Sequence, residues 1–293
     1  MKPDAILCAD LHIRDDQPIC RTDNYFEAQE KKLRFIFNLA KEHACSIYCA
    51  GDFFHKAKSS KWLEIYMMNL IKEYDADIYC IPGNHDLPYH NLEKLNESSL
   101  GILSVAGIIN VISLVLGEGK FLNISGRYFI LMHRYIHEDM FPFISPDHKY
   151  LNSPYVSGLL EDIRSNGLRY DGILSGDNHQ TFHIKDSTEK ILVNPGSMMR
   201  MTADQVDHKP CVFLYYIDEN EIEQVFLPIE ENVINRDHIE KKEEYDKRIQ
   251  CYVKRMNSDI ELSLSYENNL KKYIENNKTR KSVKKIIYEC VEE

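Results

Sequence analysis

Apolar runs and amphipathic stretches follow one another along most of this chain. Ala5–Ala9 is a continuous apolar run of strand length, the pattern of a strand buried on both faces. Tyr25–His43 changes period: Phe26, Leu33, Ile36, Phe37 and Ala40 fall at helical spacing. Ser46–Ala50 predicts a second strand, Trp62–Tyr74 a second helix, and Asp77–Ile81 a third strand stopped by Pro82 and Gly83. Leu92–Val105 predicts one further helix, and Tyr128–Met132 and Gly172–Leu174 two further short strands. Val212–Ile217 and Ile222–Leu227 flank Asp218, Glu219 and Asn220, a hairpin signature. Strands alternating with helices predict an α/β layered core.

The pattern then changes. From about Glu231, Lys, Glu, Asn and Tyr dominate and apolar residues thin to helical spacing, which places a boundary near Leu227. The expected organisation is a domain over 1–227 and a short helical extension over 228–293, with no internal repeat. A chain of 293 residues with 43% hydrophobic content can bury one substantial core. The apolar run after Met1 is too short for a secretory leader, and no stretch reaches the length of a membrane span. The 8 cysteines are scattered without CxxC spacing, several inside apolar runs where a thiol acts as a small hydrophobe. A reducing cytoplasm and no membrane association are expected. The net charge of −10 argues against a simple electrostatic nucleic-acid binder. It leaves a metal-dependent enzyme open, because bound cations neutralise clustered carboxylates.

The candidate chemistry lies where strands end. In order come Asp10-Leu11-His12, Gly51-Asp52, Gly83-Asn84-His85-Asp86, His133 and Gly176-Asp177-Asn178-His179, each directly after an apolar run. Ligands of α/β sheets bind beyond the carboxyl ends of strands, so these groups can converge on one cleft. Their nitrogen and oxygen donors suit Mn²⁺, Fe or Zn²⁺. In extended backbone, residues at i and i+2 point the same way, so Asp10 with His12, and Asp177 with His179, can each serve one centre. Taken singly, a Gly-Asp pair is a turn and His133 an ordinary histidine. Asn-His-Asp after a strand, set among the other groups, makes coincidence a poor account.

The order DxH, GD, GNHD, H and a closing GxxH resembles the calcineurin-like metallophosphoesterase superfamily, over about residues 5 to 217. The resemblance implies a sandwich of β-sheets flanked by helices. It implies one cation held by Asp10, His12, Asp52 and His179, and another by Asp52, Asn84, His133 and Asp177, with Asp52 bridging. His85 would be the acid near the leaving oxygen, oriented by Asp86. Where the superfamily usually has Gly-His-x-His, this chain has Asp177 in place of the first His. A carboxylate is a harder donor, which shifts the expected cations towards Mn²⁺ or Mg²⁺.

Within the superfamily the chain is similar to SbcD-type DNA nucleases. His55 stands three residues past Asp52, as in that branch, where it would help position duplex ends. Asn96–Gly107 is similar to the helix after GNHD, which implies a homodimer contact there. Asn194-Pro195-Gly196-Ser197, leading into Arg200, is similar to the turn that closes the nuclease core. The resemblance implies manganese-dependent exonuclease and single-strand endonuclease activity on DNA, with an SbcC-like coiled-coil ATPase as partner. Alternatives are an enzyme acting on small phosphoesters or phosphoproteins, and a non-catalytic scaffold for an ATPase. Charge distribution bears on the partner. Residues 231–293 carry 14 Lys or Arg against 13 Asp or Glu, so 22 against 33 remain in the preceding part. The tail holds a basic run at Lys271, Lys272, Lys278, Arg280, Lys281, Lys284 and Lys285. Beside it lies an apolar stripe of Val283, Ile286, Ile287, Cys290 and Val291 at helical spacing, a candidate ATPase contact.

Overall fold

The structure is a computed structural model in which residues 2–112, 120–124, 126–136, 159, 170–237, 245–251, 253, 266–277, 280, 281, 283–285 and 287 are described. By contacts the chain divides into two units, Met1–Arg236 and Asp237–Glu293. The division falls later than the change in composition near Leu227. Residues after the last strand still lie on the first unit: Thr22 N–H donates to Val233 O at 3.0 Å and Asn235 N–H to Cys20 O at 2.8 Å.

Unit 1 is built on two sheets. One has the order β11-β10-β1-β2-β3-β4 and the other β5-β6-β7-β9-β8. In the first, β1 (Ala5–Cys8), β2 (Ser46–Cys49), β3 (Ile78–Cys80) and β4 (Asn110–Val111) run parallel, and the hairpin β10 (Cys211–Tyr216) and β11 (Glu221–Phe226) adds antiparallel to β1. In the second, β6 (Arg127–His133), β7 (Gly172–Gly176) and β9 (Ile191–Asn194) are parallel, flanked by antiparallel β5 (Lys120–Ile124) and β8 (Phe182–Lys185).

Strand alternation decides the layers. Ile6, Cys8, Ile47, Cys49, Ile78 and Cys80 face a core shared with the helices, while Ala5, Leu7, Tyr48 and Ala50 face a second core against Phe129, Leu131, Leu174 and Val193 of the other sheet. This double burial explains the unbroken apolar runs. The expected mixed α/β sandwich is what forms. Buried Cys8, Cys49, Cys80 and Cys211 act as core residues, as expected of thiols in apolar runs.

The helices are stopped by local chemistry. In α1 (Tyr25–His43) the Asn24 side chain caps the first turn by accepting from Glu27 N–H, Leu33, Ile36, Phe37 and Ala40 are buried, and Ala44 closes the end in a left-handed conformation. In α2 (Lys61–Tyr74) Ser60 caps and Asp75 closes. The single helix expected over Leu92–Val105 is two pieces, a 3₁₀ segment Leu92–Glu97 and α3 (Ser99–Val105). Ser98 between them is extended, and its hydroxyl accepts from Gly101 N–H at 3.0 Å, starting a new helix instead of continuing the old one.

In unit 2, α4 (Tyr266–Asn276) has Ile274 buried, and Lys271 is exposed. Val283 is 42% exposed and its neighbours Lys284 and Lys285 are helical. Lys278, Ile286, Cys290 and Val291, part of the expected basic run and apolar stripe, lie outside the described residues. No helix among the described residues is long and apolar enough to cross a membrane.

Candidate metal centre

The loops after β1, β2, β3, β6 and β7 meet at one end of the sandwich. Four candidate donors there have left-handed backbone: φ is 49° at Asp10, 44° at His12, 51° at Asp52 and 77° at Asp177. Such conformations cost on the order of 1–3 kcal/mol each and gather at functional sites. They also correct the spacing argument, which assumed extended backbone. Asp10 and His12 do converge, but Asp177 and His179 part company. His179 joins Asp10 and His12, one donor atom of each lying within 4.8 Å of the others. Asp177 Oδ1 instead stands 3.9 Å from His133 Nε2, and its N–H donates to both oxygens of Asp10 at 3.1 and 3.2 Å.

Asp10, Asp52 and His133 form a second group with the same 4.8 Å spread. Asp52 stands between the groups: its Oδ2 is 3.6 Å from His12 Nε2 and 3.3 Å from His133 Nε2. Its other oxygen accepts from His85 N–H at 2.8 Å, which fixes the carboxylate plane. Two glycines make room. A Cβ at Gly83 would lie 2.2 Å from Asp52 Oδ1, and one at Gly51, whose φ is 95°, would lie 2.4 Å from His133 Nδ1.

Hydrogen bonds assign the tautomer of His133. Its Nδ1 lies 2.7 Å from Ala50 O, a group that only accepts, so the proton is on Nδ1 and the lone pair of the neutral ring on Nε2. That Nε2 is buried without a hydrogen-bond partner, as is His12 Nδ1. Burial opposes charge on His133, but Asp52, with Asp10 and Asp177, outweighs it and pushes the imidazole well above its usual value. Burial pushes His12 well below its usual value, against the pull of Asp52, and lowers His179 in the same way. Burial and the charge of Asp52 raise Asp10 well above the carboxylate range, while His133 opposes them. Burial would raise Asp52 too, yet His133 and His12 hold it low. Ring nitrogens and carboxylate oxygens thus converge in a buried, negative field, and a divalent cation bound there would replace the proton that Asp52 favours on His133, an arrangement that fits such cations.

Asn84 is half-buried on the turn between Gly83 and His85, and its carbonyl accepts from His90 Nδ1 at 3.0 Å. His85 is exposed towards the cleft. Its ring lies edge-on to His12 at 4.8 Å and is stacked on His55 at 5.3 Å. Its Nδ1 donates to the backbone carbonyl of His55 at 2.8 Å. Burial and the charges of Arg14 and His85 push His55 down to about 4. His12, His55 and His85 also bring ring nitrogens within 4.8 Å of one another.

Asp86 does not orient the His85 ring as expected. It is fully buried, and its oxygens accept from the backbone N–H groups of Phe53 at 3.0 Å, Phe54 at 2.8 Å and Gly83 at 2.9 Å. It ties the β2 loop to the β3 loop, and the His55 carbonyl takes the role expected of it. Asp86→Ala would leave three buried donors unpaired, at about 1–3 kcal/mol each, so a loss of at least about 3 kcal/mol is expected in denaturant unfolding. Burial, with Asp52 adding to it, pushes Asp86 up to about 7 against the amide bonds. A carboxyl whose folded value lies above its unfolded value favours the fold most in acid. The difference between wild type and Asp86→Ala should therefore shrink as pH rises from about 4 to about 7.

The Asn194–Ser197 turn supports the site from behind. Asn194 Nδ2 donates to the carbonyls of Asn178 and Gln180, Ser197 N–H to His179 O at 3.2 Å, and Met198 N–H to Asp10 O at 3.1 Å. Arg200 Nη1 donates to Val206 O at 3.2 Å and Nη2 to Glu230 O. In front, Asp52, His85, Asp177 and His179 open on a cleft of about 960 Å³ that extends to Gln180, His183, Gln224 and Phe226. These last residues belong to no motif and were missed in sequence.

The sequence profile of the calcineurin-like phosphoesterase family matches residues 5–192. No curated protein matches the chain. Among solved structures, it is similar to a dimetal phosphatase from Danio rerio, at 11% identity over 79% of this chain and 98% of that one, with a TM-score of 0.47. It is similar to Vps29 complexed with zinc from Entamoeba histolytica, at 10% identity over 76% and 97%, TM-score 0.37. A 5'-nucleotidase precursor from Thermus thermophilus matches at 11% identity over 86% and 59%, TM-score 0.40.

Proposed function

We propose that this chain, which belongs to the calcineurin-like phosphoesterase family, hydrolyses phosphodiester bonds of DNA at a pair of divalent cations, most suitably Mn²⁺ with Mg²⁺ as the alternative. The observation that carries the reading is the position of Asp52 Oδ2, within 3.6 Å of His12 Nε2 on one side and 3.3 Å of His133 Nε2 on the other. Asp10, His12, Asp52 and His179 would hold one cation, and Asp52, Asn84, His133 and Asp177 the other. When bound, such a pair lowers the pKa of water and clamps phosphate oxygens for in-line displacement. The chain supplies the rest. His133 keeps its Nε2 lone pair inward through Ala50, Asp177 adds a hard oxygen at the more open side, and His85 offers a proton from Nε2 to the leaving oxygen while Nδ1 is held by His55 O.

DNA as substrate rests on the SbcD-like features: His55 beside His85, and the Asn194–Ser197 turn behind the site. Exonuclease and single-strand endonuclease activity follow that likeness, and His55 would position the substrate end. The part before the tail carries 22 basic against 33 acidic residues, so two divalent ions leave it negative. Tight and processive binding of DNA would then need a partner, an SbcC-like ATPase, docked through the tail, while the chain alone would cut DNA weakly and distributively. A homodimer through α3 belongs to the same proposal.

The test uses the purified chain with end-labelled duplex and circular single strands, with Mn²⁺ and with a chelator. Shortening of the duplex and opening of the circle in Mn²⁺, both lost on chelation, are expected. Hydrolysis of a phosphopeptide but not of DNA would leave the family chemistry standing and overturn the substrate. Absence of both activities, with fewer than two ions per chain by mass spectrometry, would favour a scaffold.

A further inference from the structure

The cleft continues well past the cation donors, and its far part differs in character. One wall is β8 with the loop leading into it, Gln180, Thr181 and His183; the other is the edge strand β11, where Gln224 and Phe226 share a face at i and i+2. Phe226 is 56% exposed although its backbone is paired with Cys211. An aromatic ring left open on a sheet edge contributes little to the core. Gln224 donates from Nε2 to Cys211 Sγ at 3.2 Å, which leaves Oε1 without a protein partner among the described residues. Gln180 follows His179 directly, so the amide-bearing wall begins at the scissile position.

The charges select the ligand. The rim carries Asp204, Asp207 and Lys209, all exposed, so it does not suit a run of phosphates. Between the walls lie carboxamides, a hydroxyl and an imidazole, with the open ring of Phe226. A flat, uncharged, hydrogen-bonding group fits there, and every nucleobase offers a π-face to an aromatic ring. The whole cleft, its cation-donor part included, measures about 960 Å³, at the upper end of the range for small-molecule sites. Resting on the DNA diesterase reading above, we infer that this trough receives the nucleoside attached to the scissile phosphate, its base stacked on Phe226 and its polar edge met by Gln180 and Gln224.

The experiment compares three diesters in Mn²⁺: methyl 4-nitrophenyl phosphate and the 5'- and 3'-(4-nitrophenyl) phosphates of thymidine. All carry the same leaving group, and the methyl ester lacks a nucleoside. Wild type should favour at least one thymidine ester. Because base stacking on an aromatic ring is worth about 1–3 kcal/mol, Phe226→Ala should cut that preference about tenfold, mainly through KM, while Phe226→Trp keeps it. Thermal melting checks that the edge position tolerates the change. A preference unchanged in Phe226→Ala, or wild-type indifference to the nucleoside, would overturn the inference. Hydrolysis of none of the three esters would remove the diesterase reading and the inference with it, a result distinct from lost preference.

Discussion

Asp52→Ala is expected to lose activity by more than about a hundredfold and to bind fewer cations than the wild type. Loss of a group behind a metal ligand already costs about 10–100-fold in affinity or activity, and Asp52 stands in front, shared between both donor groups. Asp10, His12 and His179 remain close enough to retain one ion, so a partial metal content is the specific expectation. The fold should survive. Asp52 adds to the cost of ionising buried Asp10, but His133 and His12 hold Asp52 itself low, Asp52 holds the His133 imidazole high, and its Oδ1 accepts from His85 N–H, so its removal takes more from the cation-free fold than it gives back. Without cations the variant should therefore still unfold cooperatively but melt below the wild-type temperature. Kinetics on a small phosphodiester, metal analysis and melting of the chelated proteins measure the three quantities. Full activity in the variant would end the paired-cation reading.

How much of this could be read from the chain differs from residue to residue. The positions of Asp10, Asp52, Asn84 and His133 follow from apolar runs ending in polar residues, because a parallel strand delivers its next residue to the same edge of the sheet as its neighbours do. The pairing within the site could not be read so. Spacing placed Asp177 with His179, whereas left-handed backbone at Asp177 turns its side chain towards His133. Asp86 misled for another reason: a role orienting His85 is what the resemblance implies for it, and only the fold reveals three amides competing for the same oxygens. Short strands were also hidden. β8 is four residues of mixed polarity at a sheet edge, and β9 has a run of only three apolar residues before Asn194, which periodicity cannot distinguish from a helix fragment. Phe226 read as a hairpin residue like any other, since exposure depends on which edge the hairpin takes.

The remaining large effect concerns His85. His85→Asn should keep its cations while kcat falls about 10²–10⁴-fold, the usual contribution of a positioned general acid. The case rests on a division of labour within one residue. The backbone N–H of His85 holds Asp52 Oδ1 at 2.8 Å, and that bond does not depend on the side chain. The ring instead donates from Nδ1 to His55 O and stacks on His55, which points Nε2 away from that carbonyl and makes it the atom free to carry a proton to a leaving oxygen. Asparagine preserves a polar group of similar reach to Nδ1 but has nothing in the place of Nε2. The loss should be greatest for substrates with poor leaving groups, such as a nucleoside hydroxyl, and small for 4-nitrophenol, which departs without protonation. Single-turnover rates on both kinds of substrate, with metal content measured on the same samples, would decide the matter. Equal losses on both would deny His85 the acid role, and a parallel loss of cations would make it a ligand instead.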